Sequence, residues 1–222
     1  MAKANRVYKT EAPVAKNQEI KATVIDITYQ GMGVVKVDNF PIFVVDAIPG
    51  EIVRVSVTKV LKSYAFGRVT RRIQESENRV QNANKIAITT GIAPLANLKY
   101  EAQLAFKQHQ IEELFKKVNV DVDVAPTIGM ENPTGYRNKA QVPVQMINGK
   151  LETGFYRRGS HRLVPIEDFY IQDPKVDEAV RITRDILREL GVSAYEEETK
   201  KGVIRHIMAR RGVVMVVLGA GG

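Results

Sequence analysis

Residues 31 to 72 read GMGVVKVDNFPIFVVDAIPGEIVRVSVTKVLKSYAFGRVTRR, and their punctuation decides the fold of the first part of the chain. Apolar and polar residues alternate at period 2 through Glu51-Ile52-Val53-Arg54-Val55-Ser56-Val57, as they do upstream through Lys21-Ala22-Thr23-Val24-Ile25-Asp26-Ile27. Gly31, Gly33, Asp38-Asn39 and Pro49-Gly50 break the runs at turn-compatible positions, which leaves several short strands and no room for a helix. Pro49 presets φ and Gly50 accepts φ > 0, so Pro-Gly-Glu reads as a hairpin corner with the Glu51 carboxylate just beyond it. A small β-barrel is expected.

The stretch turns basic toward its end. Lys59, Lys62, Arg68, Arg71 and Arg72 stand among Tyr64 and Phe66 on what reads as the last strand. Cations beside aromatic faces suit a flexible nucleic acid, because phosphates meet the charges and unpaired bases stack on the rings. A solvated edge strand protected by lysine has the same composition and no ligand. Tyr64 and Phe66, two residues apart, share one face, which is either a base platform or core.

At these residues the sequence resembles a known family. Gly-x-Gly at 31 to 33, Val-x-x-Ala-x-Pro-Gly-Glu from Val44 to Glu51, and Lys62-Ser63-Tyr64-Ala65 resemble the TRAM domain, an RNA-binding barrel of RNA-modifying enzymes. LANLKYEAQLAFK at 95 to 107, GYRNKAQVPV at 135 to 144 and GFYRRGSHRLVPIEDF at 154 to 169 are similar to the central region of the bacterial RNA (uracil-5-)-methyltransferases. That family methylates C5 of uridine in 23S ribosomal RNA or transfer RNA. The resemblance implies an α+β protein with a TRAM barrel over 17–75 and a central α+β domain over 76–222, while residues 1–16, with scattered charges and no apolar block, read as a flexible tail.

The resemblance also sets the chemistry. The family's reaction needs S-adenosylmethionine on a Rossmann-like domain, a cysteine that adds to C6 of uracil, and a carboxylate that removes the C5 proton. Those elements follow the central domain, and this chain is expected to stop before them and to be inactive alone. Its final strand, Gly212 to Leu218, runs into Gly219-Ala220-Gly221-Gly222 with no helix after it, so that glycine run does not make a cofactor loop. S-adenosylmethionine is thus the cofactor of the full-length family enzyme and is expected not to bind this chain. Many members carry an iron-sulfur cluster on Cys-x5-Cys-Gly-Gly-Cys plus a fourth cysteine. Aligned on Leu95, Leu98 and Tyr100, those places hold Asn84, Thr90, Ala93 and, near the fourth, Phe169, so no cluster is expected.

Composition agrees. The chain has 222 residues, a formal net charge of +8, 44% hydrophobic residues and no cysteine. Its pI is ≈ 9.6, which favours a polyanionic partner. Absent cysteines exclude disulfides, thiolate metal sites and a thiol nucleophile within these residues. No apolar run approaches the roughly 20 residues of a membrane span, and the N-terminus lacks a signal-peptide block, so a cytoplasmic protein is expected.

Beyond the barrel, Tyr100, Leu104, Ile111, Leu114, Phe115 and Val118 mark one face of a helix that Asn119 closes. That stripe either packs on this chain's own sheet or lies uncovered, where it would invite association of an otherwise monomeric protein. Asp173-Pro174 starts a second helix that stops at Leu190-Gly191. Strands are expected over 140–146, 151–156, 203–208 and 213–218, with Asn148-Gly149 as a hairpin turn. Arg137 and Lys139 beside Tyr136, and Arg157 and Arg158 with His161 and Arg162 at a hairpin end, are the remaining phosphate-binding candidates, unless simply solvated. His109, His161 and His206 lack ligand spacing, Ser160 beside His161 lacks an orienting acid, and Glu196-Glu197-Glu198 with Lys200-Lys201 reads as an exposed loop. Two readings follow: the RNA-binding part of a uridine methyltransferase, with ribosomal RNA as first partner and transfer RNA as second, or a stand-alone RNA-binding module.

Overall fold

The computed structural model describes residues 12–212 and 215–220. Most of the expected N-terminal tail, and Gly221-Gly222 of the terminal glycine run, lie outside the described residues. The chain forms two compact units: one runs to Asn82 and includes Asn97–Lys99, the other comprises Ala83–Ala96 and the residues from Tyr100 onward.

The first unit is a curled half-barrel of six strands: β1 (Glu19–Thr23), β2 (Asp26–Ile27), β3 (Met32–Val37), β4 (Phe40–Val45), β5 (Ile52–Val60) and β6 (Ala65–Gln74). Their order in the sheet is β1-β5-β6-β4-β3-β2. The period-2 pattern does what it predicts: Val53, Val55 and Val57 of β5 point into one core with Val35, Ile42, Val44 and Ala65. Gly33 sits so close to Ala47 that a Cβ there would lie 2.7 Å from the Ala47 carbonyl oxygen.

Two expectations are corrected. The basic residues do not share one strand: Lys59 lies near the end of β5, Lys62 and Tyr64 lie in the connection, and only Phe66, Arg68, Arg71 and Arg72 are on β6. Pro49-Gly50 does not close a hairpin either, because β4 pairs with β3 and β6 whereas β5 pairs with β1 and β6. It turns the chain between non-adjacent strands, and the Glu51 carboxylate beyond it goes inward and is fully buried.

The second unit contains α1 (Lys85–Thr90), α2 (Tyr100–Lys117), β7 (Lys139–Ile147), β8 (Lys150–Tyr156), β9 (Leu163–Pro165), α3 (Pro174–Glu189), β10 (Ile204–Arg210) and β11 (Met215–Ala220). The five strands order as β11-β10-β7-β8-β9. Asn148 and Gly149 both take positive φ, 51° and 78°, as a two-residue hairpin turn between β7 and β8 requires. Asp173 caps α3 by accepting from Lys175 N at 2.9 Å, and Pro174 follows it. The helix lays Val176, Val180 and Leu187 on Ala140, Val142, Val144, Leu151 and Ile207 of the sheet. Asn84, Thr90, Ala93 and Phe169 all have structural work here. Asn84 caps α1 through Ala87 N at 2.9 Å, Thr90 donates to Ile86 O, Ala93 packs beside Ala87 and Ile88, and Phe169 stacks edge-on against Phe155 at 5.4 Å.

The question left open for α2 has an answer: the helix buries none of its residues, and Ile111, Leu114, Phe115 and Val118 are exposed. The chain after Asn119 turns back along it, with Gln108 donating to Val124 O, Thr127 to Leu104 O and Met130 N to the Tyr100 hydroxyl at 2.7 Å. Among the described residues no helix is long and apolar enough to cross a membrane.

Asp177 anchors the turn before α3, accepting from Phe169 N at 3.1 Å and from the Gln172 amide at 2.8 Å. Burial raises its carboxyl above the ordinary range, against the lowering effect of those two bonds. A carboxyl raised in the folded state contributes stability fully below the ordinary value of about 3.9 and loses it as pH rises through the folded value. Asp177→Asn keeps a neutral acceptor, and the unpartnered Gln172 Oε1 can receive the new amide after a flip. Its thermal midpoint at pH 7 is expected to equal or exceed that of the parent, with the gap closing below about pH 4. A lower midpoint at pH 7 would show that the ionised carboxylate is what the turn needs.

Candidate nucleic-acid interface

Residues of the half-barrel that do not point into the core form its outer face, and register aligns them in rows. Lys59 pairs with Phe66 on β6, which pairs with Phe43 on β4, which pairs with Val34 on β3. One step along, Glu19, Ser56, Arg68, Val45 and Met32 form the next row. Phe43, Tyr64 and Phe66 meet as an aromatic cluster, with ring centroids 5.6 Å apart for Phe43–Tyr64, 6.0 Å for Phe43–Phe66 and 5.5 Å for Tyr64–Phe66. All three are half-buried, neither core nor free. Lys59, Lys62 and Arg68 around them are exposed, and among the described residues none of them makes a salt bridge. Phe43 was not among the sequence candidates. Its signal was phase: it lies between the inward Ile42 and Val44, so alternation alone turns it outward.

Arg71 and Arg72 part company. Strict alternation from Arg68 would turn Arg72 outward and Arg71 inward. The register slips at Thr70, where Val55 pairs with Val69 but Arg54 with Arg71, so Thr70 is an extra residue on β6. Its hydroxyl bonds Arg54 O at 3.3 Å, Arg71 turns out into solvent, and Arg72 lies opposite the core residue Val53.

Arg72 is therefore committed to an ion network. Its guanidinium meets Asp46 Oδ2 at 2.6 Å and Glu51 Oε1 at 3.5 Å. Arg79, itself buried, takes both Glu51 oxygens, one at 3.0 Å, and Asp46 Oδ1 at 3.2 Å. Asn97 also donates to Asp46 at 3.2 Å. Burial alone raises the Asp46 carboxyl, but the bond and charge of Arg72, the Asn97 amide and the Arg79 charge outweigh it and hold it below its ordinary value. Its contribution to stability is present above the ordinary value of about 3.9 and is lost as pH falls through the lowered one. Arg72 thus ties β6 to the connection between β4 and β5 through Asp46 and Glu51.

In the second unit Lys139 opens β7 directly opposite Arg210 of β10. Arg137 precedes it, with its Nε donating to Lys139 O at 3.0 Å. Arg157 and Arg158 occupy the β8–β9 turn, where Arg157 N donates to Arg162 O at 2.9 Å and Arg158 N to Thr89 O at 3.2 Å. β7 and β8 are antiparallel, so the start of one and the end of the other meet at the same end of the sheet. All four sequence candidates gather there with Arg210, which the sequence alone did not single out because only the β10–β7 register brings it in. The histidines stay apart: His109 lies 3.6 Å from Glu112 on α2, His161 stands beside the Tyr156 ring at 6.4 Å, and His206 is on β10. Ser160 Oγ accepts from Arg162 N at 3.0 Å, a turn contact.

Residues 13–70 match the TRAM domain family. The chain is 55% identical over 205 residues to an uncharacterized RNA methyltransferase of Lactiplantibacillus plantarum, covering 92% of this chain and 45% of that protein. It is 46% identical over 212 residues to another of Enterococcus faecalis, covering 93% and 46% respectively. The chain thus spans about half the length of these curated relatives. Its fold matches 45% of the Pyrococcus abyssi tRNA (uracil-54, C5)-methyltransferase, solved with S-adenosyl-L-homocysteine, at a TM-score of 0.62 and 20% identity over 90% of this chain. Fold and site define a TRAM half-barrel in series with an α+β unit. Along most of its length the chain is thus similar to part of proteins named RNA methyltransferase, and it shares the fold of part of a tRNA (uracil-54, C5)-methyltransferase.

Proposed function

We propose that this chain is the RNA-holding part of an S-adenosylmethionine-dependent enzyme that methylates C5 of uridine, with the outer face of the half-barrel holding single-stranded or loop RNA. The observation that carries this is the Phe43–Tyr64–Phe66 cluster, half-exposed and flanked by Lys59, Lys62 and Arg68, none of which makes a salt bridge among the described residues. Rings at this spacing accept bases on their open faces, and the cations meet the phosphates on either side. The cationic end of the second sheet, with Arg137, Lys139, Arg157 and Arg158, is the second contact surface. We take 23S ribosomal RNA as the first substrate to test, with transfer RNA as the competing one.

Methyl transfer itself is not assigned to these residues. The reaction needs a thiol to add to the uracil ring, and none of the 222 residues is cysteine. That same observation favours the second reading, in which this polypeptide alone binds RNA without modifying it.

Fluorescence anisotropy with a loop-containing RNA tests the proposal. Tyr64→Ala is expected to weaken binding by about 5- to 150-fold, the equivalent of roughly 1 to 3 kcal/mol for one stacked base, with the salt dependence unchanged. Lys62→Ala with Arg68→Ala should instead flatten the salt dependence by about 1.4 units of slope, at roughly 0.7 per single-strand phosphate. Unchanged affinity in both variants, with the fold intact, would move the RNA site off this face. In the same preparation, tritium release from C5-labelled uridine is expected to stay at background.

A further inference from the structure

We propose that Lys21, Arg54 and Arg71 form a phosphate track that carries a single RNA strand across β1, β5 and β6, beside the aromatic platform. The proposal rests on the RNA-holding reading above and extends it to residues outside the platform.

Lys21 pairs with Arg54, and Arg54 pairs with Arg71, so three cations of three adjacent strands stand side by side on the outer face. All three are exposed, and among the described residues none makes a side-chain hydrogen bond or salt bridge. Glu19, two residues before Lys21 on β1 and opposite Ser56, likewise makes no ion pair among the described residues. Like charges directly opposite each other destabilise a sheet, so the row works against the fold that carries it. A fold selected for stability alone would place an acid in the middle position.

The bulge at Thr70 is the second observation. Were Thr70 paired in a regular ladder, alternation would turn Arg71 to the core side and the row would end at Arg54. With it, Arg71 joins the row while Arg72 closes the internal network. One inserted residue therefore serves both the inside and the outside of the half-barrel.

Geometry then names the ligand class. Three strands span about 10 Å across the sheet, and Arg71 lies about 15 Å along β6 from Phe66. A row of point charges with no aromatic among them reads a sugar-phosphate backbone and not bases. The cluster of rings at the other end of the same face reads bases. A single strand whose bases stack on Tyr64 and Phe66 and whose phosphates continue past Arg68 to the row satisfies both.

The test is anisotropy with a short fluorescein-labelled oligouridylate, using the whole chain and Lys21→Gln/Arg54→Gln/Arg71→Gln together. Three lost contacts at roughly 0.7 each should lower the salt slope by about 2 units and weaken binding about 10- to 100-fold at 0.1 M salt. The thermal midpoint should hold or rise, because a repulsive row has been neutralised. An oligouridylate with methylphosphonate linkages should bind the parent chain weakly and lose little more on the triple variant. A slope and affinity like the parent's, while Tyr64→Ala still loses affinity, would overturn the track and leave the platform standing. A fall in the midpoint would show the row to be structural and overturn it as well. If the parent chain binds neither RNA, the reading under Proposed function fails and the track fails with it.

Discussion

Glu51→Ala is expected to cost the half-barrel about 3–5 kcal/mol, the loss typical of breaking a buried ion pair by removing one partner. Glu51 is fully buried, and both of its oxygens are occupied. Arg79 holds one through Nε and the other through Nη2 at 3.0 Å, and Ile48 N donates to the second at 3.1 Å. Truncation leaves the Arg79 guanidinium, 8% exposed, with only Asp46 to balance it, and leaves the Ile48 amide without an acceptor. Since domains are stable by only about 5–15 kcal/mol, this is a large share of the total. Urea unfolding checks it, with amide exchange locating the loss in β3 to β6. A change below about 1 kcal/mol would mean that Asp46 alone suffices for both arginines. The consequence reaches the outer face, because Arg72 is drawn inward by this same network and β6 carries Phe66, Arg68 and Arg71 on its other side.

Gly154→Ala should be nearly as costly, at about 3 kcal/mol or more, and should act on the second unit. A Cβ there would stand 1.9 Å from Val164 O and 3.1 Å from Pro165 Cα. Both are backbone atoms of the adjacent strand, in which Pro165 is the register partner of Gly154, so no rotamer can relieve the clash. Strand β9 must move, and with it the turn that carries Arg157 and Arg158. Hydrogen exchange should accelerate at the amides from Phe155 to Ile166, and the thermal midpoint should fall. Gly212→Ala, where nothing lies within 4 Å of the added Cβ, is the control. Equal midpoints for the two variants would show that β9 adjusts freely.

The parts of the fold legible in the sequence were those governed by neighbours a few residues apart. The α3 start at Asp173-Pro174 and its stop at Gly191 follow from capping and from the φ each residue tolerates, and the structure has both. The β7–β8 turn is legible for the same reason, since Asn-Gly adopts two consecutive positive φ values at little cost. The α2 stripe was legible as a helix face, yet whether anything covers that face is a question of distant residues. None of the helix is buried, and periodicity carried no hint of it.

By itself the sequence determined that the first unit is a small all-β fold, that its polar edge is cationic and aromatic, and that α3 lies on a sheet, because alternation, turn residues and caps act locally. Tertiary structure alone decided which of those charges face outward. A single extra residue at Thr70 exchanges the faces of Arg71 and Arg72, and period 2 cannot reveal it because a bulge depends on how two strands register. Pairing across β1, β5 and β6 likewise decided that Lys21 and Arg54, from separate segments, join Arg71 in one row. The inward turn of Glu51 depended on Arg79, 28 residues further on, whose charge makes burial of a carboxylate tolerable.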